Sequence, residues 1–569
     1  MALPPAASIT VRATLGMLDG PKRELAEGVA NDQYVLWLGS GISRAKMPDL
    51  NDLAKRVLTT LQIRIDQTND ACRFRKALNS VVALTAPSAA EWATIDFAQD
   101  PAQWPDFDTI ASRLVSNYAR MLNVTVDGEE ADYLLWDILD AAILYSNPAV
   151  EPDAEHLCLA ALAIEGVASE MPSANWDPLV ERAIQTLAGT RPVLRVVVAP
   201  EDVRSNRRRA NLYKFHGCAQ SACNDPAANR SRLVARHNQI NGWFANNPVM
   251  GPFLTQLIAT KATLMLGLSA QDSNIQGLFA EAQAAMAWRW PSHPPAYAFS
   301  ENALGGDQES LLQNVYNLDY TPGNRPQMEA EALVQAYAKP LLFALLLHVI
   351  TAKLKLLTSH GFPGLGIADR DKLCDGLIHC RNIIADALMP SADIVAEFLK
   401  LAGRALSMLR DGALPDPALG IYIPISPDPL DRMPADPTLP GSGICEFAVA
   451  SGLIGLGLDR GHWRAEKPDV FDTSAGALVL IGRSGPAKIY FAANPRAAIR
   501  LRTNGLLADN DDAVIIHSHE NPPAMPRYPR RSPGRTGLAA LREVSIEDLL
   551  AGGTEVEDML ARFRSKVAL

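Results

Sequence analysis

Residues 34–44 read YVLWLGSGISR. An apolar run passes straight into Gly-Ser-Gly-Ile-Ser with no polar residue between. A strand covered on both faces is apolar at every position, whereas a half-buried strand alternates. Glycines at 39 and 41 let the backbone turn sharply and approach a ligand closely. A helix beginning just afterwards would direct its N-terminal amides at an anion. Ser40 and Ser43 add hydroxyls suited to phosphate or ribose. A plain strand-to-helix turn accounts for the same residues, so the reading depends on matching segments elsewhere.

Further strand-like runs are PVLRVVVAP at 192–200, LYKFHG at 212–217, ATLMLGLS at 262–269 and AYAFS at 296–300. Helical patterns such as FLTQLIATK and IQGLFAEAQAAMAW fall between them. Strands alternating with helices, with glycines at strand ends, predict an α/β Rossmann-like fold: a doubly wound, mostly parallel sheet covered on both faces. Residues 70–165 carry helix patterns and almost no strand signal, and read as a large helical insertion. A helix around 327–357 closes this domain, giving bounds of 1–345. FPGLGIADRD is a plausible hinge. Residues 346–412 read as a helical connector and 413–569 as a C-terminal α+β domain for partner contact or assembly. The latter opens on a proline-rich loop at 414–443 and continues with short strands ALVLIG, AKIYFAA and DAVIIHSH. A final helix follows, SIEDLLAGGTEVEDMLARFRSKV.

With 569 residues, two to four domains are expected. The net charge of −10 argues against a generally basic nucleic-acid binder. Two local basic stretches stand out, RSNRRRAN at 204–211 and PRYPRRSPGR at 526–535, and a solvated loop explains either. No charged leader precedes a long apolar run, so no secretion signal is expected. PLLFALLLHVI at 340–350 is too short to span a bilayer and reads as a buried helix. The seven cysteines are scattered and odd in number, which fits reduced thiols in a cytoplasm. Cys374, His379 and Cys380, and the pair His517 and His519, do not complete a metal site and read as packing or surface residues.

Three further segments carry candidate chemistry. In MPSANWDPLVE at 171–181, Asn175 and Asp177 precede a helix; Asp177 before Pro178 also reads as a simple helix cap. In YKFHGCA at 213–219, His216 ends a strand. The carboxyl edge of a doubly wound sheet is where ligands collect, and an imidazole there can move a proton. In MLGLSAQDSNI at 265–275, a strand ends in Gly267-x-Ser269, a second set of amides and a hydroxyl.

The order of these pieces resembles the sirtuin-like family over roughly residues 25–345. Gly39-Ser40-Gly41-x-Ser43 is similar to the family's Gly-Ala-Gly-x-Ser loop, and Met47-Pro48-Asp49 to the Ile-Pro-Asp that follows it. Asn175 and Asp177 fall on Asn-Ile-Asp, His216-Gly217 on the catalytic His-Gly, and Gly267-x-Ser269 on Gly-Thr-Ser. Four departures stand beside these matches, the first being the helical segment at 70–165, which has no place in a simple deacylase. Cys218 and Cys223 are not followed by a CxxC pair, so no zinc module is expected. Leu50-Asn51 replaces Phe-Arg. Ser300 stands where an asparagine usually contacts the adenosine ribose.

The resemblance implies NAD as substrate, held by Gly39, Ser40, Gly41, Ser43, Pro48, Asp49, Gly267 and Ser269, with Asn175, His216 and Asp177 as catalytic residues. The departures point to the NAD-hydrolysing branch of bacterial anti-phage defence and abortive infection. A zinc-less deacylase and a non-catalytic NAD or ADP-ribose sensor are the alternatives. In that branch the partners are a HerA-type hexameric ATPase, favoured here by the acidic charge, or a short Argonaute with guide nucleic acid. A homo-oligomer without membrane attachment is expected.

Overall fold

The computed structural model describes residues 5–362, 364–386, 390–507, 512–519, 542–551 and 555–569. The opening apolar run forms β1, Tyr34–Leu38, buried at every position. Its side chains divide between two cores. Tyr34, Leu36 and Leu38 pack on one side of the sheet. Val35 and Trp37 pack on the other, where the Trp37 ring lies 5.1 Å from Phe279 and 5.7 Å from Phe215. That double coverage is why the run does not alternate.

Six strands join it: β2 Glu170–Ser173, β3 Leu194–Val197, β4 Ala210–Lys214, β5 Ala262–Leu266, β6 Tyr297–Ser300 and β7 Leu333–Val334. Their order is β3-β4-β2-β1-β5-β6-β7, with every pairing parallel. The chain winds to one side of β1 through β2 to β4 and then resumes on the other side with β5. The switch point therefore lies between β1 and β5, where open α/β sheets bind ligands. This confirms the doubly wound fold class.

The strand β2 was not expected from the sequence. It is short, begins with Glu170 and contains Pro172. Ser169 and Ser173 accept from β4, while the Ala174 amide donates to Leu38 of β1. By that alternation the Pro172 nitrogen faces β1, where only one residue pair is in register. The missing N–H thus falls where the ladder is sparse.

Four helices position the site: α1 Leu50–Ile63, α2 Ala154–Ile164, α3 Leu179–Ala188 and α4 Ser273–Ala285. Between α1 and α2 the insertion is helical, as expected, and packs with α1 in a core that includes Leu53, Val57, Leu78, Ile110, Leu114 and Leu134. The closing helix expected over 327–357 is two helices, Arg325–Ala332 and α5 Ala338–His360, interrupted where Leu333–Val334 pair with β6. α5 is longer than its most apolar stretch suggests; its length and hydropathy would allow a membrane span, but it packs inside the protein. It runs unbroken through residue 345, with its first half in the core of the parallel sheet and Leu357 in the C-terminal core.

The connector helices are α6 Ile367–Asp386 and α7 Ala392–Asp411. After the proline-rich segment comes α8, Ile444–Asp459, which strand-oriented reading of 443–517 missed. Its glycines lower helix propensity but permit a close crossing. A Cβ on Gly376 of α6 would sit 2.2 Å from the Gly452 carbonyl oxygen, and one on Gly455 would sit 1.9 Å from the Gly376 oxygen. A second sheet has order β12-β11-β10-β9-β8, built from β8 Arg464–Glu466, β9 Leu478–Gly482, β10 Gly485–Ala492, β11 Ala513–His517 and β12 Arg542–Ser545. The expected final helix is two, Ile546–Ala551 and Val556–Val567. The stretch PRYPRRSPGR lies outside the described residues.

A buried ion pair fastens the proline-rich segment to the first domain. Lys353 of α5, fully buried, donates to Glu165 Oε2 (2.8 Å), the Glu165 carbonyl (2.6 Å) and the Ser426 carbonyl (2.7 Å). Glu165 Oε1 accepts from the Tyr422 hydroxyl (2.6 Å) and the Ile425 amide (3.0 Å). Removing one partner leaves a buried charge uncompensated. Lys353→Met is expected to lower the unfolding free energy by about 3–5 kcal/mol, read from denaturant unfolding. A loss below about 1 kcal/mol would contradict this account of the junction.

Candidate functional site

The turns after β1 and β5 touch. The Gly39 amide donates to the Leu266 carbonyl and the Gly41 amide to the Gly267 carbonyl, both at 3.0 Å. A Cβ on Gly39 would lie 2.3 Å from the Gly267 oxygen, and one on Gly41 2.6 Å from the Gly267 Cα. Gly267 has φ +62° and would meet Gly41 in return. The glycines expected to make room for a ligand therefore first make room for each other. The helix expected right after the turn is only a 3₁₀ turn, Ser40–Ser43; α1 starts at Leu50. Ser40 and Ser269 are exposed at this edge, and Ser43 is buried.

Asn175 follows β2 and reaches the glycine turn. Its Nδ2 donates to Ser43 Oγ at 3.4 Å, its backbone amide is held by Ser173 Oγ at 3.1 Å, and its Oδ1 is buried with no protein partner. Ser43 Oγ also meets His156 Nε2 at 3.1 Å. His156 lies in the first turn of α2, and its Nδ1 accepts from the Asp153 amide at 3.1 Å. Burial lowers its pKa to about 4, with Asp177 and Asp153 pulling the other way, so the ring is neutral at pH 7. Nothing in the sequence marked His156; its spacing from Asp153 reads only as a helix cap.

His216 follows β4 as Asn175 follows β2. Ser173 and Lys214 are the last paired residues of the two strands, and Asn175 and His216 each lie two positions beyond. His216 is buried, and its Nε2 accepts from Asn274 Nδ2 at 2.9 Å. Asn274 Oδ1, like that of Asn175, is buried without a partner. No hydrogen bond joins His216 to Asn175 among the described residues. Instead Asp272, just before α4, connects the region to the insertion by accepting from the Tyr118 hydroxyl at 2.6 Å. Lys214, fully buried, supports the Asn175 loop from beneath: it donates to the carbonyls of Trp176 (3.3 Å) and Asp177 (2.6 Å) and to Glu181 (2.9 Å).

The remaining candidates divide. One Asp177 oxygen accepts from the Leu179 amide at 3.2 Å, but the cap of α3 is Pro178, not Asp177 as the sequence suggested. The Asp49 carboxylate caps α1 by accepting from the amides of Asn51 and Asp52 at 2.9 and 3.0 Å. The Pro48 carbonyl accepts from Tyr145 of the insertion at 2.8 Å. Ser300 donates to the Ala336 carbonyl at 2.6 Å and faces β7. No group of three or more His, Cys, Asp or Glu side chains converges as a metal site among the described residues.

Asn175, His216, the glycine turn and Gly267-x-Ser269 thus follow the ends of β2, β4, β1 and β5 of one sheet, while Pro48 and Asp49 lie at the start of α1. Residues 170–321 match the SIR2-like domain family. The matched span holds Asn175, Asp177, His216, Gly267 and Ser269 of the SIR2-like domain; the glycine turn after β1 lies before it. A comparison with curated proteins found no match. The match supports a sirtuin-type NAD-binding or NAD-processing function. Two buried amide oxygens without partners, on Asn175 and Asn274, suit a polar ligand at this edge.

Burial lowers the His216 pKa, offset in part by the Asp272 charge. With its folded value depressed, the ring stays neutral through pH 7, and any stability it gives is lost only as pH falls. An NMR titration should place its midpoint below the ordinary histidine value of about 6.5; a midpoint above that would contradict this electrostatic picture.

Proposed function

We propose that the chain is an NAD+ glycohydrolase, releasing nicotinamide and ADP-ribose. The observation that carries this is Asn175: its amide nitrogen is anchored beside the glycine turn and its oxygen is buried and unfilled. Such an oxygen can accept from a water placed at the anomeric carbon.

The bond to nicotinamide breaks with its electron pair leaving on the pyridine nitrogen, which becomes neutral. The carbon develops oxocarbenium character, water oxygen bonds to it, and one proton departs. NAD would lie across the β1–β5 crevice, with its phosphates beside the 39–43 turn and the adenosine side near Gly267 and Ser269. Asp177 would face the nicotinamide end. His216, with Nε2 accepting from Asn274, carries its proton on Nδ1 and can donate to a ribose hydroxyl. Acting as a base would require Asn274 to release Nε2. The insertion is held against this region at Tyr118–Asp272 and Tyr145–Pro48, and a helical segment there has no counterpart in a simple deacylase.

An NADase needs restraint until it is needed, and the reading extends to an effector of anti-phage defence activated by assembly or a partner. The C-terminal domain offers the contact. The charge of −10 favours a HerA-type ATPase over an Argonaute carrying guide nucleic acid. Exposed Arg204, Arg207 and Arg208 are the basic residues that would serve the second.

Nicotinamide release should be measured with and without the candidate partner. Asn175→Ala is expected to cut the rate about 10²–10⁴-fold with the circular dichroism spectrum unchanged. An unchanged rate would overturn the proposal, as would tight NAD binding without turnover in the assembled complex.

A further inference from the structure

The hydrogen bonds around Asn175 run on to α2. His156 is the third residue of that helix, inward from its cap Asp153. A purely structural role needs one ring nitrogen only: Nδ1 accepts the Asp153 amide and completes the helix start. The other nitrogen faces Ser43 Oγ, far away in sequence.

That geometry sets the direction of each bond. Because Nδ1 accepts, the neutral ring carries its proton on Nε2. Ser43 Oγ therefore accepts from Nε2–H, and it accepts also from Asn175 Nδ2. Both hydroxyl lone pairs are then taken, and the O–H must donate to a third group. Meanwhile Asn175 is held with Nδ2 toward Ser43 and Oδ1 open. Ser43, His156 and Asn175 are all under a tenth exposed, so water does not blur these orientations. The outcome is one free donor and one free acceptor side by side at the ends of β1 and β2. A water or a ribose hydroxyl both donates and accepts, and satisfies the two together. A phosphate oxygen cannot donate and would leave Oδ1 empty.

We propose that His156 is a positioning residue that holds Ser43 Oγ as an acceptor on its own side and turns the hydroxyl proton away from the ring, so that Ser43 and Asn175 together clamp a water or a ribose hydroxyl. Ser43 then serves the reacting end of the substrate and not its pyrophosphate. This rests on the NADase reading above and assigns a residue to it.

The test uses the full chain under conditions where it consumes NAD. His156→Leu keeps bulk but no hydrogen bond. His156→Gln offers an oxygen to the Asp153 amide and an N–H to Ser43. Leucine should lower kcat about tenfold to a hundredfold with KM within about threefold, and glutamine should recover most of kcat. Equal kcat in all three proteins, or equal loss in both variants, would overturn the proposal. Should the leucine variant fail to fold, the ring tautomer decides: ¹⁵N NMR of the ligand-free protein should show His156 protonated at Nε2, and protonation at Nδ1 would overturn it. The tautomer requires no catalysis, so its outcome is separate from Asn175→Ala, whose failure would sink the NADase reading itself.

Discussion

The mutual contact of two glycine turns governs the candidate site. Gly39 and Gly41 lie against Gly267 so closely that no side chain fits at any of the three. Two amide–carbonyl bonds lock the turns together. This contact draws the ends of β1 and β5 into one floor at the switch point. It also turns the 40–43 segment so that Ser43 faces Asn175 on the neighbouring strand. A glycine at each position is a packing requirement before it is a ligand-binding one. The two needs coincide because a backbone free of side chains is also what a phosphate can approach.

From that floor the polar groups are built inward. Lys214, paired with Glu181, pins the carbonyls of residues 176 and 177 and so sets the loop that carries Asn175. Asn274 orients His216. On the outer side the insertion closes over both ends of the edge, through Tyr118 to Asp272 and Tyr145 to Pro48. Behind β2, Glu165 ties the same stretch of chain to Lys353 and to the proline-rich segment. The strand leading to Asn175 is thus tied, within a few residues, to the candidate site and to the C-terminal half.

Much of this was legible in the sequence, for physical reasons. Strands buried on both faces announce themselves as unbroken apolar runs, so β1, β4, β5 and β6 were evident. The short β2 was hidden by Glu170 and Pro172, and α8 by the glycines that let it cross α6. Asn175, His216 and the glycines were singled out because their order along the chain resembles that of the sirtuin-like family, and the sheet sets their segments at the ends of β2, β4, β1 and β5. His156 was not, because its partner Ser43 lies far off in sequence and only the fold brings them together. Asp49 and Asp177 are the reverse case: an acidic residue before a helix looks the same whether it serves the helix start or meets a ligand, and here Asp49 caps α1 while Asp177 bonds the Leu179 amide one residue ahead of the cap of α3.

The central claim is that the β1–β5 crevice holds a dinucleotide with its ribose at Asn175. The most direct measurement is a crystal structure with ADP-ribose bound. The account predicts the diphosphate beside the 39–43 turn and a ribose hydroxyl within hydrogen-bond reach of both Ser43 Oγ and Asn175 Oδ1. ADP-ribose bound elsewhere, or seated there with its ribose turned away from Asn175, would contradict it.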